Sequence, residues 1–341
     1  VIKNTLSYLT IFSLVFSSLM INTASANDGD TLTLTGNTFA EDTSSNSGTA
    51  SGSAAGGTNA ISTQDIDLVI SGDVVLNLTT NNLRFADGIT TANVGAAATL
   101  TINVLENNAG EIYTIDEAVT NVDSNDPLTI TFAGNSAGQI LQVKTQSVGS
   151  DANTLKFVVN SGQTIEVAAT SGTYSANFDG AGTLKLIQNF TNDENIGANA
   201  ALGVLDMNSK TLTAGAGSVR VGTLTQNAAI VSAASLEVTG ATTSTNANIT
   251  TTGTQTYTGT FNVGTGTSVL ATTNAVIDFA AVTGAGGTEN LTVNSGTART
   301  EFDGAVTLIE TLTVTASGGV TFDGIVNTVT SVVLTDTDNT D

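Results

Sequence analysis

Residues 302–324 read FDGAVTLIETLTVTASGGVTFDG, so Phe302-Asp303-Gly304 returns as Phe322-Asp323-Gly324 twenty residues later. No other feature restricts the fold as much. Laid over each other, the two copies also align Val306 with Val326, Ile309 with Val329, Leu312 with Val332, Val314 with Leu334 and Thr315 with Thr335. Phenylalanines at 261, 279, 302 and 322 carry the period backwards in steps of 18, 23 and 20. The 23-residue step fits if the GAGG turn at 284–287 holds the extra residues. Phe178-Asp179-Gly180 is an earlier copy, and TFAG at 131–134 and FADG at 85–88 are looser relatives.

A unit of about 20 residues cannot bury its apolar side alone, so such units stack and share a core. The expected fold is all-β: a right-handed parallel β-helix, or β-solenoid, with coils of about 20 residues over 64–341. Each FDG would be a corner. Phe would stack inward, Asp would bond the backbone through its side chain, and Gly would supply a positive φ. A set of β-sandwich modules is the alternative, since those also place turns every 8–12 residues or so.

The rest of the chain has the same texture. Short runs such as IDLVI, ATLTINV, PLTITF, TLKFVV and TLKLI alternate apolar and polar residues between Gly, Asn, Asp and Ser turns. About 60 threonines and a single proline suit strands. Mean hydropathy is +0.19, higher than disordered chains show. Only ENIGANAALGVLDMNS at 194–209 has helical character.

Two segments precede the repeats. Residues 1–26 have the layout of a secretory signal peptide: Lys3, an apolar run from Leu6 to Ile21, and the small residues Ala24-Ser25-Ala26. Residues 27–63 hold the strand-like TLTLT at 31–35 and a Ser/Gly/Thr-rich linker or exposed loop.

Charge and missing residue types narrow the function. Thirty acidic against eight basic residues leave a net charge of −22. That disfavours nucleic acid, whose phosphates demand Lys and Arg, and favours cations. The sequence has no His, Cys or Trp, which removes zinc sites and most nucleophile–base pairs. Polysaccharide lyases and hydrolases on solenoids need clustered carboxylates with a basic partner. The basic residues after the leader, Arg84, Lys144, Lys156, Lys185, Lys210, Arg220 and Arg299, are scattered. Asp193 and Glu194 read as solvated turn residues. Two stretches offer oxygen ligands at alternating positions, as calcium loops do: Asp336, Asp338 and Asp341, and Asp123 with Asp126. No other cofactor is expected. The Thr-rich run 241–260 reads as plain β-structure.

LKLIQNFTNDENIGANAALGVLDMNSKTLTAGAG (184–217), the FDG/FAG turns and GTLTQNAAI resemble the passenger regions of Gram-negative autotransporters, above all the large surface antigens of rickettsia-like alphaproteobacteria. The resemblance covers most of 64–341 and is one of texture and repeat type. It implies Sec export, delivery to the outer membrane or cell surface, a β-helical passenger, and a role in adhesion or surface coating. A host-cell or surface receptor or glycan would be the partner. Such proteins end in a membrane β-barrel; none is present before TDTDNTD, so the chain is expected to be a fragment with that barrel in cis, or to be anchored otherwise. The leading expectation is therefore a non-enzymatic surface protein. Behind it stand a self-assembling S-layer-like or matrix protein with a calcium-bridged acidic surface, and then a polysaccharide-active β-helix enzyme.

Overall fold

A computed structural model of the chain describes residues 66–335, apart from 79–83, 86–87, 93–94, 106–108, 122–124, 146–147, 150–154, 170–172, 316–317 and 328, and before them the backbone of five short strands between 22 and 61. Side chains are described from Leu68 onward. The apolar run of the expected leader, 6–21, lies outside the described residues. Within 27–63 the described parts are strand backbone at Asp30–Thr35, Thr38–Glu41, Thr49–Gly52 and Ala60–Ile61.

The described residues are all-β. From Ile66 onward the strand pairs are parallel and come from successive coils. The result is a β-solenoid of about 11 coils, stacked about 21 residues apart. Coil length varies. Thr90 meets Thr120 across 30 residues, while Ser218 meets Ser235 across 17. Long early coils are the reason the period is plain in the sequence only near its end.

Three sheets run along the axis. The first stacks Val74, Leu100, Ile130, Phe157 and Phe178, passes through the bridges Phe178–Ile196–Val219, and ends at Thr300 over Val320. The second stacks Tyr113, Leu141, Ile165, Leu184, Leu205 and Leu224. The third stacks Phe190, Leu212, Ile230, Ile249, Leu270 and Val293. Alternation decides which residues enter: Ala98–Val104 alternates buried and half-buried side chains without a break. Each fully buried Leu, Val or Phe contributes about 1.5–3 kcal/mol.

The repeated Phe does stack inward. Phe279, Phe302 and Phe322 lie face to face, with centroids 5.1 and 4.9 Å apart and interplanar angles of 7° and 5°. Phe157 and Phe178 do the same at 5.2 Å. The register Phe302–Phe322, Val306–Val326, Leu312–Val332, Val314–Leu334 and Thr315–Thr335 is the one the aligned copies give. Phe261 does not belong to this column. It sits in the second sheet beside Val282, and Tyr257 takes the ring position over Phe279 at 5.1 Å and 9°. Phe261 instead meets both rings edge-on, at 4.8 and 5.4 Å. Tyr257 begins the run of rings, above Val238, and its hydroxyl is accommodated because it donates to the buried Gln255 Oε1 at 3.0 Å. Burial pushes that phenol well above its ordinary pKa.

FDG is a corner, between the first and second sheets, but its Gly and Asp act differently from expectation. Gly180 has the expected positive φ, at 106°. Gly304 and Gly324 do not. They are glycine because the corner backbone runs directly over the previous coil: a Cβ on Gly304 would collide with the Ala280 carbonyl oxygen, and one on Gly324 with the Gly304 backbone. Asp179 does bond a backbone N–H, that of Asn199 in the next coil, whereas Asp303 and Asp323 point to solvent.

The corner from the third sheet back to the first is polar. Asn192, Thr251, Thr272 and Ser295 each donate a side-chain hydrogen bond to a carbonyl two or three residues on: Glu194, Gly253, Ala275 and Ala298, at 2.6–2.8 Å. This turn chemistry leaves Asp193 exposed but buries Glu194, contrary to the solvated pair expected. The GAGG turn does hold the extra residues of its coil. Glu289 Oε2 accepts the N–H groups of Gly286, Gly287 and Thr288 at 3.1, 2.8 and 3.0 Å. The Gly286 N–H foremost, with the other two, holds its carboxyl below the ordinary range.

The stretch 194–209 contains no helix. Leu202–Asp206 is a strand, with Leu202 and Leu205 stacked on Val221 and Leu224. Tertiary packing overrides a weak local preference there.

Candidate binding notch on the first sheet

Outward side chains of the first sheet carry most of the paired charge in the later coils. SVRV at 218–221 lies in register under SLEV at 235–238, so Arg220 faces Glu237. Nε of Arg220 is 3.2 Å from Glu237 Oε2, and the two side chains are 46% and 42% exposed. An exposed pair of this kind is worth at most about 1 kcal/mol to the fold. Beside it, Ser235 Oγ donates to Ser218 Oγ at 3.0 Å, and the Ser218 N–H donates to Asn195 Oδ1 at 2.9 Å.

One coil earlier, the position in line with Arg220 is Gly197. Its φ is +81°, and a Cβ there would collide with the Arg220 carbonyl oxygen. Beside it lies a notch of about 260 Å³, lined by Asn195, Gly197, Ser218, Arg220, Ser235 and Glu237 among others. Its wall is the exposed turn that starts at Ala198. Asp179 pins that turn from the coil before, accepting the Asn199 N–H on Oδ1 at 3.2 Å and the Asn199 side-chain amide on Oδ2 at 2.9 Å. The Asp of an early FDG copy thus shapes a surface feature two coils wide.

Further along the same sheet, Asp278 lies in register with Glu301. Arg299 leans on Glu301, Nε to Oε1 3.5 Å, and donates to Thr321 Oγ1 at 2.6 Å. Asp278 Oδ1 is buried without a hydrogen-bond partner. Burial, then Asp303, then Glu301 raise its pKa above the ordinary 3.8. A carboxyl raised in this way binds more protons folded than unfolded between its ordinary and raised values. Stability therefore falls as pH climbs through that window, and the cost of the ionised form persists above it. Asp278→Asn is expected to raise the melting midpoint at pH 7 and to lose that advantage below the ordinary carboxylate range. Calorimetry across pH 3–8 checks it, and a variant no more stable than the parent at pH 7 would contradict it.

Of the expected calcium ligands, only Asp126 falls among the described residues. Asp336, Asp338, Asp341 and Asp123 lie outside the described residues. Asp126 is buried, and its Oδ1 accepts the Ala96 N–H at 3.0 Å, tying two coils together. Among the described residues no three acidic side chains gather as a metal-ligand set. Of the seven scattered basic residues, Lys144, Lys185, Arg220 and Arg299 each meet an acid, Lys185 to Glu166 at 2.9 Å and Lys144 to Asp116 at 3.8 Å. The notch has a trace in the sequence, the SVRV/SLEV match, which sets opposite charges on one face. Gly197 and its anchored turn have none.

Comparison with protein-family models, with curated proteins and with solved structures gave no match.

Proposed function

We propose that this chain is a non-enzymatic, exported surface rod, an autotransporter-type passenger that acts in adhesion or surface coating. The observation that carries the reading is how the polar chemistry is used. Buried Ser, Thr, Asn and Gln side chains close corners, most described basic side chains are matched to an acid on the same or a neighbouring coil, and contact groups are left on long outer sheets. A stack of coils that presents flat, repeated faces suits multivalent contact with another surface. The partner class is a receptor or glycan on that surface.

Surface location is the decisive test. Protease added to intact cells is expected to degrade the chain, and the undigested protein is expected in the outer-membrane or extracellular fraction. Recovery from the cytosol, protected from protease, would overturn the reading. Release by chelator as large particles would replace it with the calcium-bridged coat.

A further inference from the structure

We propose that the Gly197 notch binds a neutral saccharide through a pair of adjacent hydroxyl groups; the inference rests on the adhesin reading and names a ligand class for one of its faces. Arg220 and Glu237 leave part of their bonding capacity unused. Their contact engages Nε and Oε2. The terminal guanidinium nitrogens and Glu237 Oε1 make no hydrogen bond to the described residues, and both side chains are nearly half exposed. Donors and an acceptor therefore stand side by side at the edge of a cavity. A vicinal diol matches that pattern: one hydroxyl donates to the carboxylate while its neighbour accepts from the guanidinium. Ser218 and Ser235 add hydroxyls that can donate or accept, on the next column of the same sheet.

Charge selects against the other polar ligands. A carboxylate would have to settle beside Glu237, in the field of a chain with net charge −22. An ammonium would face Arg220. A neutral polyol meets neither penalty. Size agrees, since about 260 Å³ is room for one sugar ring and its first hydration waters and little more. The site is also held in shape before any ligand arrives. Gly197 is held by its N–H bond to the Phe178 carbonyl at 2.6 Å, Asn195 by the Ser218 N–H, and the wall by the double contact from Asp179 to Asn199. Preorganisation of this kind lowers the ordering cost of binding a small ligand.

The test is saturation-transfer NMR on the purified chain with glucose, galactose, mannose and N-acetylglucosamine, and with glucuronic and sialic acid as charged probes. At least one neutral sugar is expected to bind in the millimolar range. Arg220→Ala and Glu237→Gln are each expected to weaken it about tenfold, with circular dichroism unchanged. Asp179→Ala is expected to weaken it by loosening the wall. The inference is overturned if no neutral sugar transfers saturation, if the acidic sugars bind better, or if both notch variants bind as the parent does. Adhesion by the intact protein is read separately. Notch variants that bind no sugar but adhere normally would sink the sugar site as the adhesive contact and leave the surface role standing. A chain absent from the cell surface would sink the surface role while the titration still decides the notch.

Discussion

Phe302→Ala is expected to destabilise the coils around it by about 3–5 kcal/mol. The ring is 1% exposed and lies between two others, Phe279 at 5.1 Å and Phe322 at 4.9 Å, both nearly parallel to it. Truncation removes the transfer energy of a buried ring, opens a cavity the flanking sheets cannot close, and strips contact from both neighbours. Their backbones are held in parallel register on either side, Phe279 to Phe302 and Phe302 to Phe322, so they cannot slide in to fill it. Phe322→Ala should cost much less, because among the described residues Phe322 is only partly buried and stacks on one side alone. In a stack of coils each unit feels mainly its neighbours, so a single global midpoint is a poor readout. Amide exchange by mass spectrometry is better. Protection should fall over 277–322 in Phe302→Ala and stay near parental over 155–186. Equal losses in Phe302→Ala and Phe322→Ala would show that the stack adds nothing beyond burial.

The same residues mark how far a sequence can be read. The register of the last coils is legible to the residue, because 302–315 and 322–335 align at one offset of 20 without a gap and carry the same ring at the same corner. One coil back, reading Phe261 as the next ring fails, because the ring position is filled by Tyr257 and the phenylalanine has moved across the corner into the second sheet. Periodicity searched by residue type misses a column defined by shape. The early coils defeat it differently: steps as long as 30 residues place stacked strands too far apart for the eye. Corners were legible as turns, but not in mechanism. Positive φ explains Gly180, while Gly304 answers to the coil beneath it, a contact no local rule contains. The notch was half legible. SVRV over SLEV pairs charges that any alignment of the repeats would set together, yet the positive φ of Gly197 and the turn pinned by Asp179 carry no such mark. Arg220 and Glu237 form no acidic cluster in sequence; they meet only across coils, and their unused atoms matter more than their bond.

The corner glycines supply the second large effect. Gly304→Ala is expected to cost about 1–3 kcal/mol or more, although it adds one methyl group at a half-exposed position. Coil spacing is fixed near 4.8 Å by the parallel ladders on both sides of the corner, Phe279–Phe302 in the first sheet and Val282–Val306 in the second. Within that spacing the Cβ would point at the Ala280 carbonyl oxygen of the coil below. The atom in the way is backbone, so no side-chain rotation relieves it. Relief requires parting the two coils, and that breaks hydrogen bonds such as Asp303 N–H to Phe279 O, 2.9 Å, and Val282 N–H to Ala305 O, 2.9 Å. Gly324→Ala is the control. Its Cβ would meet the Gly304 backbone in the same way, but among the described residues its coil carries Ile325 at 73% and Val326 at 39% exposure and is packed on one side. The expected order is therefore a marked loss of exchange protection over 277–307 for Gly304→Ala and a small, local one for Gly324→Ala. If both are tolerated alike, close approach is not what selects glycine at this corner, and the FDG repeat must owe its third residue to folding rather than to the finished coil.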